Sequence, residues 1–559
     1  MIAGACADLY TEDLLLLFVR QVVWIPALVG LGFGLRAAFG DRSSGEPRNA
    51  GELGMLGVVA LGSVALVANF LVPIFPWVST LALVGGLTLL AGFRRQLEPA
   101  EWIRFAVVVT ALAAVQSAVG ATERPVFDTG LYHLPSLRWI EREALPLGLA
   151  NVDPLLGYNS IWFLALAAAG IPVIGGTSAA FGLNASVSTL FLAAVFSSIA
   201  TREKGWRAAP LSSVLGLGIF VFANLICNLS GQLSPNVPAI LCSLYAWFWL
   251  VRDTEAGRSI SPLTLLFALF GAAAKVFAAP VVVVTTVLYA LSGGSPRADR
   301  RVLAATFAVG VAWVLRGLLT SGCLLYPAVA SCIPDLTWSV PEALVAGVRR
   351  NIAVTNGDLS AEVHAFGAAV ALARRARGIL VMPVTAKILG AVAVCLFLGL
   401  LGRLRGLAPA FPLPRWRIVA LIAAQAALVA WWFALSSKTP VFGAHAWLGF
   451  GMMLAALGLY RSPIPDFASR RLAVGGLAVA LVMMTRTAFL TSSAGIHWVR
   501  YPEIPKVPYR EDTIGGTRVS IPLEGYRCWD SPLPCVHPPP TSFRESATAW
   551  RARRFEAVP

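Results

Sequence analysis

The sequence predicts an all-α membrane protein with about fourteen transmembrane helices, extracytoplasmic loops and a small C-terminal periplasmic cap. Its composition supports this fold class, because only 13% of the residues are charged and 57% are hydrophobic, whereas about 25% of a soluble protein is charged. The mean hydropathy of +0.73 comes from repeated apolar stretches near the length of a bilayer core. These observations exclude a soluble enzyme, a DNA-binding protein and a disordered scaffold.

The basic residues set the expected orientation. The chain has 44 Lys and Arg residues against 29 Asp and Glu residues, a net charge of +15, and many basic residues lie in short loops between apolar runs. Because short basic loops stay in the cytoplasm, we expect a bacterial inner-membrane protein with both termini and the larger hydrophilic regions in the periplasm. Topology explains the net charge without a nucleic-acid partner; the alternative is another anionic partner.

Residues 1–121 are expected to form the N-terminal transmembrane helices. Their apolar runs lie near 14–35, 53–73, 78–93 and 104–121. The first run follows acidic residues and no basic n-region, so we expect it to remain as a membrane helix and not to be cleaved as a signal peptide.

Residues 122–182 are predicted to form the first large periplasmic loop. The stretch 159–200 is long enough for two spans, but two spans would move the basic residues at 202–207 to the periplasm, against the positive-inside rule. We therefore expect Asn159–Gly170 to lie along the outer interface as a juxtamembrane helix, which leaves 183–200 as the only span.

The rest of the chain alternates in the same way. We expect central transmembrane helices at 183–320, a second periplasmic region at 321–378, C-terminal transmembrane helices at 379–490 and a periplasmic tail at 491–559. The apolar runs behind these assignments lie near 183–200, 210–228, 237–251, 261–274, 277–292, 302–320, 379–402, 416–436, 445–460 and 471–490.

Two pairs of cysteines fall in the expected periplasmic regions. Cys323 and Cys332 belong to the second region, and Cys528 and Cys535 belong to the tail. In an oxidising compartment such closely spaced pairs predict two disulfides. Free thiols and a metal site are the alternatives, although neither pair has a nearby set of His and Cys at ligand spacing.

The most polar segment of the first loop runs from Phe127 to Phe163. It places Asp128 shortly before Tyr132 and His133, at the start of a predicted helix over 129–144. A carboxylate beside His and Tyr can act as a general base on an acceptor hydroxyl. The alternative is that Asp128 only caps the N-terminus of this helix.

The pattern "DTGLYHLP" in the first large exterior loop resembles the GT-C superfamily of membrane glycosyltransferases. Several further motifs are similar to a bacterial branch of that superfamily without an assigned substrate. They are "GLAN" and "GYNS" later in the loop, "LSPN" at 233–236, "AAAK" at 272–275, "SGCLLYP" at 321–327, "TWSVP" at 337–341 and "GYRCWDSPLPC" at 525–535. The resemblance extends over most of the chain from about residue 120 onward.

The resemblance implies a GT-C-like architecture and an inverting transfer of a sugar from a polyprenyl-phosphate donor to an extracytoplasmic acceptor. The acceptor would be a cell-envelope glycan, a lipid or a protein. Asp128 corresponds to the acidic residue that serves as base or metal ligand in the superfamily, so a divalent cation is a candidate cofactor. Tyr132 and His133 would shape the acceptor site, and Asp153 is a candidate second acidic group.

Two positions depart from the branch. Asn236 stands where the branch has Asp, and Val441 stands where it has Arg. Altered substrate binding and lost activity are the two interpretations of these departures.

A polyprenyl donor also needs cations for its phosphate near the membrane surface. Lys275 is the first candidate, because it interrupts an apolar stretch at the expected outer surface, where a charge is expensive and tends to be functional. Snorkelling from a helix end is the alternative. Further candidates for substrate binding are Asn159, Arg316 and Arg349, although Arg349 and Arg350 also fit a solvated helix face.

Two other function classes fit the same sequence. A transporter or flippase of lipid-linked glycans is compatible with many spans and a few intramembrane charges. A non-catalytic membrane assembly subunit is compatible with the two departures. The transferase is favoured because the second half does not repeat the first and the polar residues cluster in exterior loops.

Overall fold

The computed structural model describes residues 14–40, 49–122, 126–171, 177–200, 210–223, 229–293, 297, 299–356, 363, 367–380, 383–404, 415–435, 468–491, 504, 506–537, 542–546 and 553–558. These residues are predominantly helical. The helices are α1 (Leu14–Phe39), α2 (Ala50–Asn69), α3 (Trp77–Phe93), α4 (Pro99–Ala121), α5 (Leu134–Arg142), α6 (Ile161–Ala168), α7 (Leu183–Ala200), α8 (Pro210–Val221), α9 (Asn236–Glu255), α10 (Pro262–Ala274), α11 (Ala279–Leu291), α12 (Arg300–Ser321), α13 (Glu342–Asn356), α14 (Ala368–Leu380), α15 (Pro383–Leu404), α16 (Arg415–Leu435) and α17 (Ala468–Thr491).

Six helices in the described part of the chain are long and apolar enough to cross a membrane. They are Leu14–Phe39, Ala50–Asn69, Trp77–Gln96, Pro99–Ala121, Ala180–Ala200 and Arg300–Ser321. The expected count of about fourteen spans is not supported. Length is one reason, because α10 and α11 have 13 residues each, whereas a span needs about 20. The apolar run at 445–460 lies outside the described residues.

The surfaces of these helices that do not pack against other parts of the protein are apolar. Leu81 on α3 and Phe307 on α12 are 72% and 73% exposed. Large apolar side chains in such numbers on long apolar helices are typical of a surface that faces lipid. The composition and the exposed surface therefore agree on a membrane protein.

The core is centred on α9, whose residues from Val237 to Glu255 are all buried. It packs against α10 and also contacts α7 and α8. A helix that is enclosed on every face belongs to the interior of a large helical assembly.

The helices α1, α2 and α3 approach one another closely at glycines. A Cβ atom on Gly57 of α2 would overlap the backbone of Leu28 on α1, and a Cβ atom on Gly30 would overlap the backbone of Gly86 on α3. Small residues at such crossings allow helix backbones to pack closely in membranes.

The segment expected to lie along the outer interface is instead an interior helix. Helix α6 has only eight residues, so it does not add a span. All eight are buried, and Ser160 caps the helix by accepting a hydrogen bond from the amide of Trp162 at 3.2 Å. The sequence IWFLALAA is apolar on every face, which suits an interior helix, whereas an interfacial helix needs one polar face.

The three hydrophilic regions meet at one end of the helices. Asn151 in the first loop donates hydrogen bonds to the carbonyl oxygens of Trp338 in the second region and of Phe555 in the tail, at 2.9 and 3.1 Å. These contacts place the three regions on the same side of the protein, as the sequence predicts.

The tail folds as two short antiparallel hairpins. Strands β1 (Tyr509–Ile514) and β2 (Thr517–Pro522) are joined by two glycines with positive φ, the preferred chemistry of a tight hairpin turn. Strands β3 (Phe543–Ser546) and β4 (Arg554–Ala557) form the second hairpin. Apolar residues of both hairpins pack against the first loop, in a cluster formed by Trp139, Leu149, Val152, Leu156, Val519, Ile521, Val536, Phe543 and Phe555.

Both predicted disulfides are present, Cys323–Cys332 in the second region and Cys528–Cys535 in the tail. They close short loops in the regions that cover the ends of the helices. The disulfide interpretation of these cysteines is therefore confirmed over the alternatives.

Candidate functional site

A turn of π-helix at Thr129–His133 leads from Asp128 into α5. The helical stretch agrees with the helix predicted over 129–144, but the wider turn was not expected. Such single π turns often occur at functional sites. Here the turn places the side chain of Tyr132 beside that of Asp128, four residues earlier.

Asp128 does not act as a helix cap. It has right-handed helical backbone angles and its side chain makes no capping hydrogen bond. Its carboxylate is half-buried and receives a long contact of 3.5 Å from the hydroxyl of Tyr132. The carboxylate is therefore not used to satisfy the free backbone amides at the start of this helix.

Lys275 and Asn236 meet close to this carboxylate. Lys275 lies at the break between α10 and the short 3₁₀ turn Val276–Ala278, in extended backbone. Its ammonium group donates a hydrogen bond of 2.6 Å to the side-chain oxygen of Asn236, the first residue of α9. Lys275 also interacts electrostatically with Asp128. The fold thus joins the first loop to the motifs at 233–236 and 272–275.

The electrostatics of Asp128 reflect its position. Partial burial raises the pKa of its carboxyl, and the positive charge of Lys275 and the hydroxyl of Tyr132 oppose this shift. Burial disfavours the charged form, whereas a nearby cation favours it. The carboxyl is thereby shifted toward the range in which a general base works best.

Tyr132 and His133 form the apolar wall behind Asp128. The ring of Tyr132 lies 4.5 Å from the ring of His133 and 5.2 Å from that of Tyr158. Burial, with a smaller contribution from Lys275, lowers the pKa of His133 to about 3. His133 is therefore neutral at physiological pH, and it packs against Phe163 as part of the wall.

The tail covers the other side of the π turn. The amide of Trp529 donates a 2.9 Å hydrogen bond to the carbonyl oxygen of Gly130, and a Cβ atom at Gly130 would overlap the indole ring. Glycine is therefore required for this close approach. The guanidinium of Arg527 lies 5.2 Å from the ring of Phe127, next to Asp128, so the tail brings a second cation to the edge of the site.

Asp153 makes contacts of its own with the loop and the tail. Its carboxylate accepts a 2.8 Å hydrogen bond from the amide of Leu155, which caps the short turn Pro154–Gly157. Its second oxygen pairs with Nδ1 of His537 in the tail. Only 3% of Asp153 is exposed, and the structure gives it a role in joining the loop to the tail.

The three other predicted substrate-binding residues do not join Asp128 either. Asn159 donates from its amide to the carbonyl oxygen of Trp313 at 2.5 Å and accepts from Arg316 at 2.8 Å. Arg316 is buried on α12. Arg349 is exposed on α13. This position agrees with the alternative interpretation, in which Arg349 lies on a solvated helix face.

Sequence reasoning missed several partners of the site. Gln232 accepts hydrogen bonds from the amide of Val126 and the hydroxyl of Thr129, at 3.2 and 3.4 Å. His537 binds both Asp153 and, at 3.1 Å, the carbonyl oxygen of Leu131. The motifs "LSPN" at 233–236 and "GYRCWDSPLPC" at 525–535 could have pointed to these residues, because Gln232 directly precedes the first and His537 closely follows the second.

Metal binding was predicted only as a candidate property of Asp128. Among the residues that the structure describes, no group of three or more His, Cys, Asp or Glu side chains lies close enough to hold a metal ion. Val441, the second departure from the branch, lies outside the described residues.

A family model described as "Domain of unknown function (DUF8201)" matches residues 14–437, which include the six candidate spans and the first two exterior regions but not the tail. No curated protein matches the chain, and no solved structure matches it.

Proposed function

The chain belongs to the family described as "Domain of unknown function (DUF8201)", and from its site we propose that it is an inverting membrane glycosyltransferase of the GT-C type. It transfers a sugar from a polyprenyl-phosphate donor to an extracytoplasmic hydroxyl of a glycan, lipid or protein. The observation that carries the proposal is the electrostatic interaction of Lys275 with the half-buried carboxylate of Asp128 at one end of the helices.

The two charged groups suit the two halves of the reaction. The carboxylate of Asp128 takes the proton of the acceptor hydroxyl as its oxygen attacks the anomeric carbon. The bond from that carbon to the phosphate oxygen breaks at the same time, and the polyprenyl phosphate leaves with the bonding electrons. The ammonium group of Lys275 stabilises the negative charge that develops on the leaving phosphate.

Asn236 supports this assignment of Lys275. An Asp at that position, as in the related branch, would neutralise the ammonium group, whereas the Asn side chain holds it by a hydrogen bond of 2.6 Å without adding a charge. The departure therefore leaves more of the positive charge for an anionic ligand. We interpret it as altered donor binding and not as lost activity.

The surface around the two groups is amphiphilic. Phe127, next to Asp128, is 57% exposed, and Val276, next to Lys275, is 45% exposed. Apolar side chains beside a carboxylate and an ammonium group suit a donor whose phosphate is joined to a hydrocarbon chain.

The same features bear on the rival functions. A transporter needs a pathway through the centre, whereas the described central helices bury large side chains that include Trp162, Phe191 and Trp249. An assembly subunit would bury the Asp128 loop against a partner. The transferase is preferred because its reaction uses the half-exposed carboxylate and the amphiphilic surface directly.

The proposal includes a topology. The three regions that meet at the site would face the periplasm of a bacterial inner membrane, since the short connections at the opposite ends of the helices are basic. The shorter apolar helices, together with the run at 445–460, would complete a GT-C-like set of about fourteen membrane helices.

Variants of Asp128 test the function. In cells that lack the gene, wild-type protein should restore a cell-envelope glycan, measured by mass spectrometry, and Asp128→Asn should reduce its amount by about 10²- to 10⁴-fold. Purified wild-type protein should carry a polyprenyl phosphate, detected by native mass spectrometry, and Lys275→Gln should lose it.

Asp335→Asn is the matched control, because it neutralises an exposed carboxylate in the second exterior region. It should leave the glycan and the bound lipid unchanged. A normal glycan profile from well-folded Asp128→Asn protein would rule out the catalytic assignment, and the chain would then be a structural or transport component.

A further inference from the structure

A small cavity lies beside Tyr158, whose ring packs against that of Tyr132. It is enclosed by the end of α2, by α5, by α12 and by the loop between α5 and α6. The lining residues that matter for its chemistry are Asn69, Ser136, Trp139, Tyr158 and Arg316. The free space admits about one water-sized group.

Four side chains that line this cavity carry buried polar atoms without a hydrogen-bond partner among the described residues. The four atoms are Nε of Arg316, Nε1 of Trp139, Oγ of Ser136 and Oδ1 of Asn69. All four residues are at most 7% exposed. Buried polar groups are normally satisfied, so four unsatisfied atoms around one cavity indicate a bound group.

The charge in this cavity is positive. Arg316 is 5% exposed, and the only hydrogen bond of its guanidinium to a described residue goes from Nη1 to the neutral side chain of Asn159. An arginine keeps its charge in proteins, and a buried charge without a counter-charge is costly. A neutral water would satisfy hydrogen bonds here but would leave the charge uncompensated.

We infer that this cavity binds a small anionic group, held by the guanidinium of Arg316, the indole N–H of Trp139 and the hydroxyl of Ser136. The occupant is a single small anion or one oxygen of a carboxylate or phosphoryl group that reaches in from a larger molecule. Three of the four unsatisfied atoms can donate to an anion, since two are obligate N–H donors and one is a hydroxyl. The fourth, Oδ1 of Asn69, only accepts and takes no part in holding the anion.

The site is distinct from the proposed catalytic one. The cavity lining includes neither Asp128 nor Lys275. Tyr158 lines the cavity, and its ring lies 5.2 Å from that of Tyr132, whose hydroxyl contacts Asp128. The anion would therefore brace the wall of the catalytic site. Its binding does not depend on the transferase proposal, since it is measured without any sugar substrate.

Bromide is the probe for the site. Crystals of the purified protein grown in sodium bromide should show an anomalous peak in the cavity, and the unfolding temperature should be several degrees higher in chloride than in gluconate at equal ionic strength. Arg316→Gln should abolish both effects, whereas Arg316→Lys, which keeps the charge, should retain part of them.

A second variant protects the test against misfolding of Arg316→Gln. Ser136→Ala removes one donor. The chloride concentration needed for the same rise in unfolding temperature should therefore increase about tenfold. An organic acid that mass spectrometry finds in the wild type and not in Arg316→Gln, in place of bromide, would support the anionic end of a larger molecule. A cavity that holds only water, with no difference between chloride and gluconate, would overturn the inference.

Discussion

Two carboxylates of the first exterior loop, Asp128 and Asp153, follow opposite patterns. Both stand in the same polar segment of the sequence, and both were candidates for the active site. In the structure Asp153 is buried, caps a turn and pairs with His537 of the tail. The carboxylate of Asp128 is half-buried, and its one hydrogen bond to a described side chain is a long contact with Tyr132. A carboxylate whose oxygens are both engaged in structural contacts is poorly placed to accept a proton from a substrate. The comparison therefore separates a structural acid, Asp153, from a candidate base, Asp128.

The comparison predicts opposite effects for the two Asp→Asn variants. Asp128→Asn should lower glycan transfer by about 10²- to 10⁴-fold and leave the unfolding free energy within about 0.5 kcal/mol of the wild type. Asp153→Asn should lower stability by about 1–3 kcal/mol, because it weakens a buried pair, and keep transfer per folded molecule within about threefold. Thermal unfolding and transfer assays on the same preparations would reverse the assignment if Asp153→Asn proved the inactive one.

The junction between loop and tail should also break at Arg138. This residue binds Glu141 and Asp530 at 2.8 and 2.6 Å, and burial raises the pKa of Glu141 to about 7 despite Arg138. Arg138→Met should cost about 3–5 kcal/mol, because it leaves Glu141 buried and unpaired. The matched control, Arg142→Met on the exposed face of the same helix, should cost little.

The pH dependence of Arg138→Met has a defined sign. Without Arg138 the folded-state pKa of Glu141 rises further above the ordinary value of 4.5, since Arg142 alone opposes burial and the charge of Asp530. A group with a raised pKa in the folded state destabilises the fold as pH rises from its unfolded value through its folded one. The variant should therefore be most stable near pH 4–5, and a stability loss that does not depend on pH would contradict this account of Glu141.

The membrane part and the exterior part were not equally predictable from sequence. The apolar runs predict the helices well, because hydrophobicity is a property of consecutive residues. Helix α9, for example, coincides closely with the run at 237–251. The number of membrane spans was harder to predict. Helix α10 shows that an apolar run can form a helix that is too short to cross the membrane by itself.

The site was predictable only in part for a related reason. Two separate signals point to Asp128 and Lys275, a motif and a charge in an apolar run, and neither signal shows that the two groups interact. The role of Asp153 depends on His537, which lies in the tail, and no local pattern joins the two. Long-range partners of this kind are decided by tertiary packing, so sequence spacing could not separate Asp153 from Asp128.

A smaller perturbation tests how closely the tail must dock beside Asp128. Gly130→Ala places a methyl group in the indole ring of Trp529, and such overpacking typically costs about 1–3 kcal/mol. We expect faster proteolysis of the tail and a lower unfolding temperature. Gly347→Ala on α13, where a Cβ atom meets no neighbour, should be neutral or stabilising by up to about 1 kcal/mol. Equal behaviour of the two variants would show that the Trp529 contact does not hold the tail.

The smallest expected effect sharpens the comparison at Asp128 itself. Transfer should require the deprotonated carboxylate, so activity should fall at low pH along a limb set by a pKa above the ordinary 3.8. The groups that act on this carboxyl are Lys275 and Tyr132. Lys275→Gln removes the cation that favours the charged form, so the acidic limb should move to higher pH by roughly one unit.

The matched control for this shift is Lys506→Gln, which removes an exposed positive charge from the tail. It should leave the acidic limb in place, because salt screens an exposed charge and Lys506 is not among the groups that act on the Asp128 carboxyl. Transfer in isolated membranes, followed over a range of pH, separates the two effects of Lys275→Gln: weaker donor binding lowers the rate at every pH, whereas the lost charge moves the limb. A lower rate with an unmoved limb would keep Lys275 as a phosphate ligand but would mean that Asp128 is not the titrating base.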